Sequence, residues 1–399
     1  MCNLRLVSKR LSHAALPALV KRYFQHRCIM LQRNSLENLV AISGHPVFGP
    51  AVEDLSIRLY HWTSSPERAN TSGPPQEGGV KGEDVEEEDV DMVAYHLLME
   101  DQLFMMDSGL TTTYLVQALV ALPALKTVSV NEERTPWGVV DLMRKTGLRL
   151  NSTFESSESI EFARDAIRAI VRAIILNNTA LDELELCPRF AYDHPLSSHL
   201  LCFSPPILPL LQTHHARLRT LRLGLGASYG SLDDDMSNFL EFVALFPGLE
   251  SLWLEFDVNK QCDFFPPLSR RLRLQGLQFL GLDGLDCTAS DLLGLLRAHN
   301  LQQVALMSVF IEDGDGEGWR EVLAAIRDEG LTHMLKIKDC FEGNEWLGYR
   351  EPGSKGSIDN DIVVASTGVF SGSLDWTTMI NGLVIGDGDE EDDEDQESD

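Results

Sequence analysis

The chain has 399 residues, 44% of them apolar and 24% charged, and its 61 acidic against 33 basic side chains give a formal net charge of −28. That length is enough for roughly two to three domains at ~150 residues each, while the negative field opposes phosphate backbones and anionic membranes and excludes duplex binding as a first reading. Much of the charge is local: 83–91 (EDVEEEDVD) holds 7 acids and 387–399 (DGDEEDDEDQESD) holds 10, and such blocks repel themselves and resist folding.

The first 33 residues have the opposite bias, with Arg5, Lys9, Arg10, Lys21, Arg22, Arg27 and Arg33 and no acid among them. Apolar Leu4, Val7, Leu11, Ala14, Ala15, Ala18 and Leu19 predict a basic amphipathic helix there, which Pro17 ends or kinks. A second short helix, SLENLVAIS, follows with Ser35 as its expected N-cap. No continuous apolar core with a small-residue cleavage site marks a secretory signal, and no apolar run is long enough for a membrane span, because Arg168 and Arg172 interrupt the richest helix. Seven scattered cysteines without a C-x-x-C pair predict reduced thiols in the cytoplasm, the nucleus or both.

Leucine supplies 60 of the 399 residues, and the frame L-x-x-L-x-L, with Val or Ile allowed, recurs down the chain. It reads VEDLSI at 52–57, LKTVSV at 125–130, LDELEL at 181–186, LRTLRL at 218–223, LESLWL at 249–254, LQFLGL at 277–282 and LQQVAL at 301–306. A degenerate eighth copy, LTHMLKI, starts at Leu331. Each frame ends in apolar/polar alternation, the period of a strand with one buried face. Helical spacing falls between frames, at Phe162, Ala166, Ile167, Ile170, Val171 and Ile174, at Met236, Phe239, Leu240 and Val243, and at Trp319, Val322, Leu323 and Ile326. From Leu181 onward the frames start 37, 31, 28, 24 and 30 residues apart. A strand and a helix per period predict a β/α solenoid, in which stacked neighbours bury the face that one unit alone cannot.

This frame resembles the leucine-rich repeat family over about residues 50 to 340. The family's Asn/Cys ladder position falls instead on Arg189, Gly226, Asp257 and Leu285, and only a one-residue slip in the eighth copy would place Cys340 there. Upstream, the string Leu4-Arg5-Leu6-Val7-Ser8-Lys9-Arg10-Leu11 resembles the closing half of an F-box, as in fungal F-box proteins with leucine-rich repeats. The opening Leu-Pro-x-Glu-type helix of that module has no counterpart after Met1, so the resemblance is to an N-terminally incomplete F-box. It implies that Leu4, Leu6, Val7, Lys9, Arg10 and Leu11 contact the Skp-type adaptor of a cullin-RING ubiquitin ligase while the repeats hold a client protein. A scaffold of the same fold that has lost its adaptor contact is the alternative. A transit peptide is a rival reading of the basic N-terminus.

The expected organisation is an α/β chain with three parts. Residues 1–50 form a partial F-box-like helical segment, and 51–340 form the leucine-rich-repeat-like solenoid, a curved parallel sheet with helices outside. Its acidic insertion at 63–91 and the acidic end of the tail at 341–399 are expected to be disordered, and two short apolar stretches of the tail, IVVAS at Ile362 and LVIG at Leu383, are candidates to dock on the last repeat. On the sheet face opposite the leucines, Glu183, Glu185, Arg222, Trp253, Glu255, Phe279 and Asp283 line up, and Arg222, Trp253 and Phe279 have the composition of a partner-binding hot spot. His194, His199, His214 and His215 with Cys187 and Cys202 match no zinc spacing. DGDGEGWREVLA mimics half an EF-hand loop but carries Ala324 where the bidentate Glu belongs, which reads as a turn into a helix at Trp319. Without a nucleophile elbow, Walker loop or dinucleotide fingerprint, the expectation is a protein that is not an enzyme and needs no cofactor or metal.

Overall fold

The computed structural model describes residues 9–64, 90–131, 135–151, 156–177, 181–187, 218–225, 232–256, 265–312, 318–342, 345–349, 361–365 and 383–386. The chain divides into two compact units, one of Met1–His194 with Phe203–Leu218, the other of Pro195–Cys202 with Arg219–Asp399.

Unit 1 is a parallel sheet of four strands in chain order, β1 (His26–Met30), β2 (Asp54–Arg58), β3 (Thr127–Val130) and β4 (Glu183–Leu186). Six helices accompany it: α1 (Lys9–Tyr23), α2 (Arg33–Ser43), α3 (Met92–Asp107), α4 (Leu110–Val120), α5 (Val139–Thr146) and α6 (Ser157–Asn177). Parallel strands require a crossover, and α2 to α6 supply it. The frame leucines and valines at Leu55, Ile57, Val128, Val130, Leu184 and Leu186 are all buried. So is the α6 stripe Phe162, Ala166, Ile167, Ile170, Val171 and Ile174, as its 3.6-residue spacing predicts.

The expected boundary at residue 50 falls inside this sheet. β1 pairs with β2 over its whole length, from His26 opposite Asp54 to Met30 opposite Arg58. HRCIM has no leucine frame, but Ile29 and Met30 are buried, which is enough to seat a short strand. Pro17 does not end α1, which runs through it to Tyr23. Ser35 is not an N-cap either: α2 starts two residues earlier, and the buried Ser35 hydroxyl accepts the Met30 amide at 3.1 Å.

A second apolar cluster in unit 1 gathers Met30, Trp62, Tyr95, Val139, Leu142, Leu148 and Leu150. Trp62 meets the Tyr95 ring edge-on at 5.1 Å. The buried Gln102 amide donates to the Trp62 carbonyl (3.0 Å) and accepts both the Trp62 amide (2.8 Å) and Gln32 Nε2 (2.9 Å). Asp91, at the end of the acidic run, caps α3 by accepting the Ala94 amide at 2.8 Å.

Unit 2 repeats more strictly. β5 (Thr220–Leu225), β6 (Ser251–Phe256), β7 (Phe279–Asp283), β9 (Gln303–Met307) and β11 (Met334–Lys338) run parallel in that order. Gly284, Ser308 and Asp339 follow β7, β9 and β11 with φ of 68°, 50° and 50°. This left-handed residue turns the chain into two-residue strands, β8 (Asp286–Cys287), β10 (Phe310–Ile311) and β12 (Phe341–Glu342), which pair in parallel as a second sheet. Between turn and short strand lie Leu285, Val309 and Cys340, all fully buried. The register pairs Leu306 with Ile337, so Cys340 occupies the ladder position that the slipped frame predicts. Its thiol faces the Leu306 carbonyl at 3.5 Å, and burial pushes its pKa up to about 12.

The helices of unit 2 are α7 (Leu232–Ala244), α8 (Phe265–Arg271), α9 (Ala289–Arg297) and α10 (Gly318–Glu329). The stripe Trp319, Val322, Leu323 and Ile326 is buried. The N-terminus of α10 is held by the buried Glu342 carboxylate, which accepts the Gly318 and Trp319 amides at 2.8 and 3.1 Å. Within the tail, the apolar stretches that begin near Ile362 and Leu383 are strands. β13 (Glu345–Tyr349) pairs antiparallel with β12 and with β15 (Leu383–Gly386), and β14 (Asp361–Ala365) pairs antiparallel with β11, satisfying the otherwise open edge of the last parallel strand.

Candidate interaction surface

In unit 2 the side chains opposite the buried leucines form rows across the strands. One row is Arg222, Trp253, Gly281, Ala305 and Lys336, and its neighbour holds Ser251, Phe279, Gln303 and Met334. Trp253 leans over Gly281: a Cβ there would lie 2.1 Å from Trp253 Cε3, so only glycine admits this pose. The indole is stacked beside Phe279 at 5.9 Å and 15°, and the Arg222 guanidinium sits 5.1 Å from its centroid. Arg222 also faces Glu255 at 3.6 Å. The three predicted residues are thus brought together into one strip.

Their exposure differs from the expectation. Arg222, Trp253 and Phe279 are half-buried, because the indole lies along the sheet and its Nε1 is buried without a hydrogen-bond partner. Flattening orders the aromatic surface in advance and lowers the entropy that a partner would have to remove. Gly281 is the residue that sequence reasoning missed: it occupies an unremarkable position of the frame, and only the register places it under Trp253.

In unit 1 the equivalent face is polar. His26 pairs with Asp54, and Ser56 Oγ donates to Asn131 Oδ1 (3.0 Å), whose Nδ2 donates to Glu185 Oε2 (2.9 Å). These residues, with Arg27 and Ser129, line a pocket of about 160 Å³. Glu183 and Glu185 are half-buried on β4.

One buried pair has the look of acid–base chemistry. His61 Nε2 lies 2.8 Å from Ser159 Oγ, its Nδ1 2.9 Å from the Leu59 carbonyl, and its ring is stacked on Phe162. Both side chains have no exposed surface, and burial holds the imidazole at a pKa of about 4. Their geometry ties the segment after β2 to the start of α6, and Ser64 adds to the tie by donating to Glu158.

Of the expected adaptor residues, Leu4, Leu6 and Val7 lie outside the described residues, whereas Lys9, Arg10 and Leu11 open α1. His194, His199, His214, His215 and Cys202 also lie outside them, as do Asp313, Asp315 and Glu317. Among the described residues no group of three or more His, Cys, Asp or Glu could hold a metal, and no helix is long and apolar enough to cross a membrane. Cys28, Cys187, Cys287 and Cys340 are in no disulfide. No protein-family model matches the chain, and no curated protein matches it.

Proposed function

We propose that the protein is a non-enzymatic interaction subunit of the F-box and leucine-rich-repeat kind, which holds a client protein on the strand face of unit 2 while its basic N-terminal segment meets a Skp-type adaptor. The observation that carries this reading is the Arg222–Trp253–Phe279 strip, an ordered aromatic surface with a cation stacked on it, the composition on which binding energy concentrates. The turn-and-ladder repeat of β7 to β12 supports the leucine-rich-repeat part. Chemistry would then occur on another subunit, which fits the lack of an anchored catalytic constellation in the sequence.

A scaffold without an adaptor is favoured by one observation: His26–Met30, inside the expected F-box-like segment, pairs with β2 along its whole length and so belongs to the sheet. Co-purification with the Skp-type adaptor separates the two, since recovery supports the ligase subunit and failure with a folded chain supports the scaffold. Client binding is tested by the Trp253→Ala, Phe279→Ala double variant, which should lose partners that the wild type retains; equal yield from a folded variant would remove the proposal.

A further inference from the structure

We propose that the outer face of α3 is a second interaction surface, separate from the strand face of unit 2, and that it takes a basic amphipathic helix of a partner protein. α3 is apolar on opposite sides. Its inner side packs Tyr95, Leu98 and Met99 into the cluster around Trp62. Its outer side leaves Val93, Leu97 and Phe104 at 72, 61 and 58% exposure. At about 3.6 residues per turn these three fall within about 40° of one another and make one row about 16 Å long. Scattered exposed apolar residues need no explanation, but a helix that is apolar on every side belongs inside a contact, and a contiguous exposed row marks where the contact is missing.

Charge identifies what covers the row. Glu100 and Asp107, both exposed, run along one side of it, and Asp101 lies on the other side, paired with Arg33. Residues 90–125 contain no Lys or Arg, and the acidic run 83–91 joins α3 directly. His96, beside Glu100, is the one imidazole on that face. α5 brings Arg144 and Lys145 but meets α3 from the inner side, where Val139 and Leu142 share the Trp62 cluster and the Asp91 amide donates to the Thr146 carbonyl. The outer surface is therefore an apolar row edged by carboxylates. A helix that flanks an apolar stripe with Lys or Arg is its complement in both respects. A second copy of the chain fits worse, since it would set Glu100 and Asp107 against an equally acidic face with a net charge of −28 on each side.

The shape also suits a helix. The row is a convex ridge of about three turns, and a partner helix lying along it at the usual separation of about 8–10 Å can set anchors at i, i+4 and i+7 between Val93, Leu97 and Phe104. An extended peptide would instead need a free sheet edge, which a helix surface does not offer. Leu103, also exposed, widens the apolar area on the far side of Glu100.

The test is fluorescence anisotropy of the full chain with a dye-labelled leucine–lysine amphipathic peptide of about 18 residues, long enough to hold a helix on contact. Two controls keep its length: one replaces every lysine with glutamate, the other every leucine with alanine. The leucine–lysine peptide is expected to bind with a Kd of about 10 μM and both controls at least about tenfold more weakly. Leu97→Ser and Phe104→Ser should each weaken it about five- to tenfold, and because both side chains are exposed the variants should unfold at the wild-type denaturant midpoint. Glu100→Lys should weaken the leucine–lysine peptide and strengthen the leucine–glutamate one, an inversion that a merely structural role would not produce; it carries the comparison if a serine variant fails to fold. Equal binding of the alanine–lysine control, unchanged affinity in the folded variants, or binding lost in Trp253→Ala but kept in Leu97→Ser would overturn the proposal. So would a dimer in sedimentation velocity that Leu97→Ser dissociates, because the face would then belong to a second copy.

Discussion

The two units build parallel sheets from the same leucine frame but hold them by different means. In unit 2 order is periodic and carried by the backbone: each of three strands ends in a left-handed residue, an apolar ladder residue and a short second strand. In unit 1 the crossovers are long, and buried side-chain hydrogen bonds between distant segments fix them, as Gln102 does for Trp62 and Gln32 and Ser159 does for His61. A strict repeat can be closed by burying methyl groups, because every neighbour offers the same geometry. An interrupted one needs directional bonds, which a low-dielectric interior makes costly to lose.

That contrast predicts where each unit is fragile. Truncation of the ladder, Leu285→Ala, should cost unit 2 roughly 3 to 4 kcal/mol in denaturant unfolding, whereas a cost below about 1 kcal/mol would deny the ladder its role. In unit 1, Gln102→Ala leaves the buried Trp62 amide and carbonyl without partners and should cost roughly 3 kcal/mol. Acid should act on the same polar interior. His61 titrates near pH 4 when folded and near 6.5 when unfolded, so the unfolded chain binds the extra proton first. The stability it contributes is complete above pH 6.5 and is lost as pH falls toward 4, about 3 kcal/mol in all. His61→Phe should flatten the stability profile across that window, and an unchanged slope would place the acid sensitivity elsewhere. Unit 2 has a milder counterpart in His299, whose pKa burial also lowers and whose Nε2 accepts the Leu274 amide. Smaller effects sharpen the comparison. Ser308→Gly relieves a left-handed serine and should stabilise by up to about 1 kcal/mol. Trp253→Phe removes a buried indole N–H without a partner, keeps the aromatic strip, and should leave stability within about 1 kcal/mol of wild type.

The strands were legible because burial on one face imposes a period of two on leucine and valine, and all eight frames are strands. β1 was not, since Ile29 and Met30 are too few to repeat a frame. α3 left no helical stripe to read: its buried face carries Ala94, Tyr95 and Met105, and its exposed face carries Val93, Leu97 and Phe104. Alternation was enough to bring Arg222, Trp253 and Phe279 to one face. The pose of the indole was hidden, because it depends on Gly281 lying opposite Trp253 in the next strand. The unit 1 pocket was hidden for a similar reason: Ser56, Ser129 and Glu185 are far apart in the chain, and nothing in their local sequence marks them as neighbours.

The central claim is that a client sits on the strand face of unit 2, and the most direct measurement is site-specific photocrosslinking of the full chain. A photoreactive aromatic residue placed at Phe279 should capture the client that co-purifies with the wild type, while the same probe at the exposed Arg320 on α10 should not. Capture through Arg320 with none through Phe279 would contradict the account and move the interface to the helices.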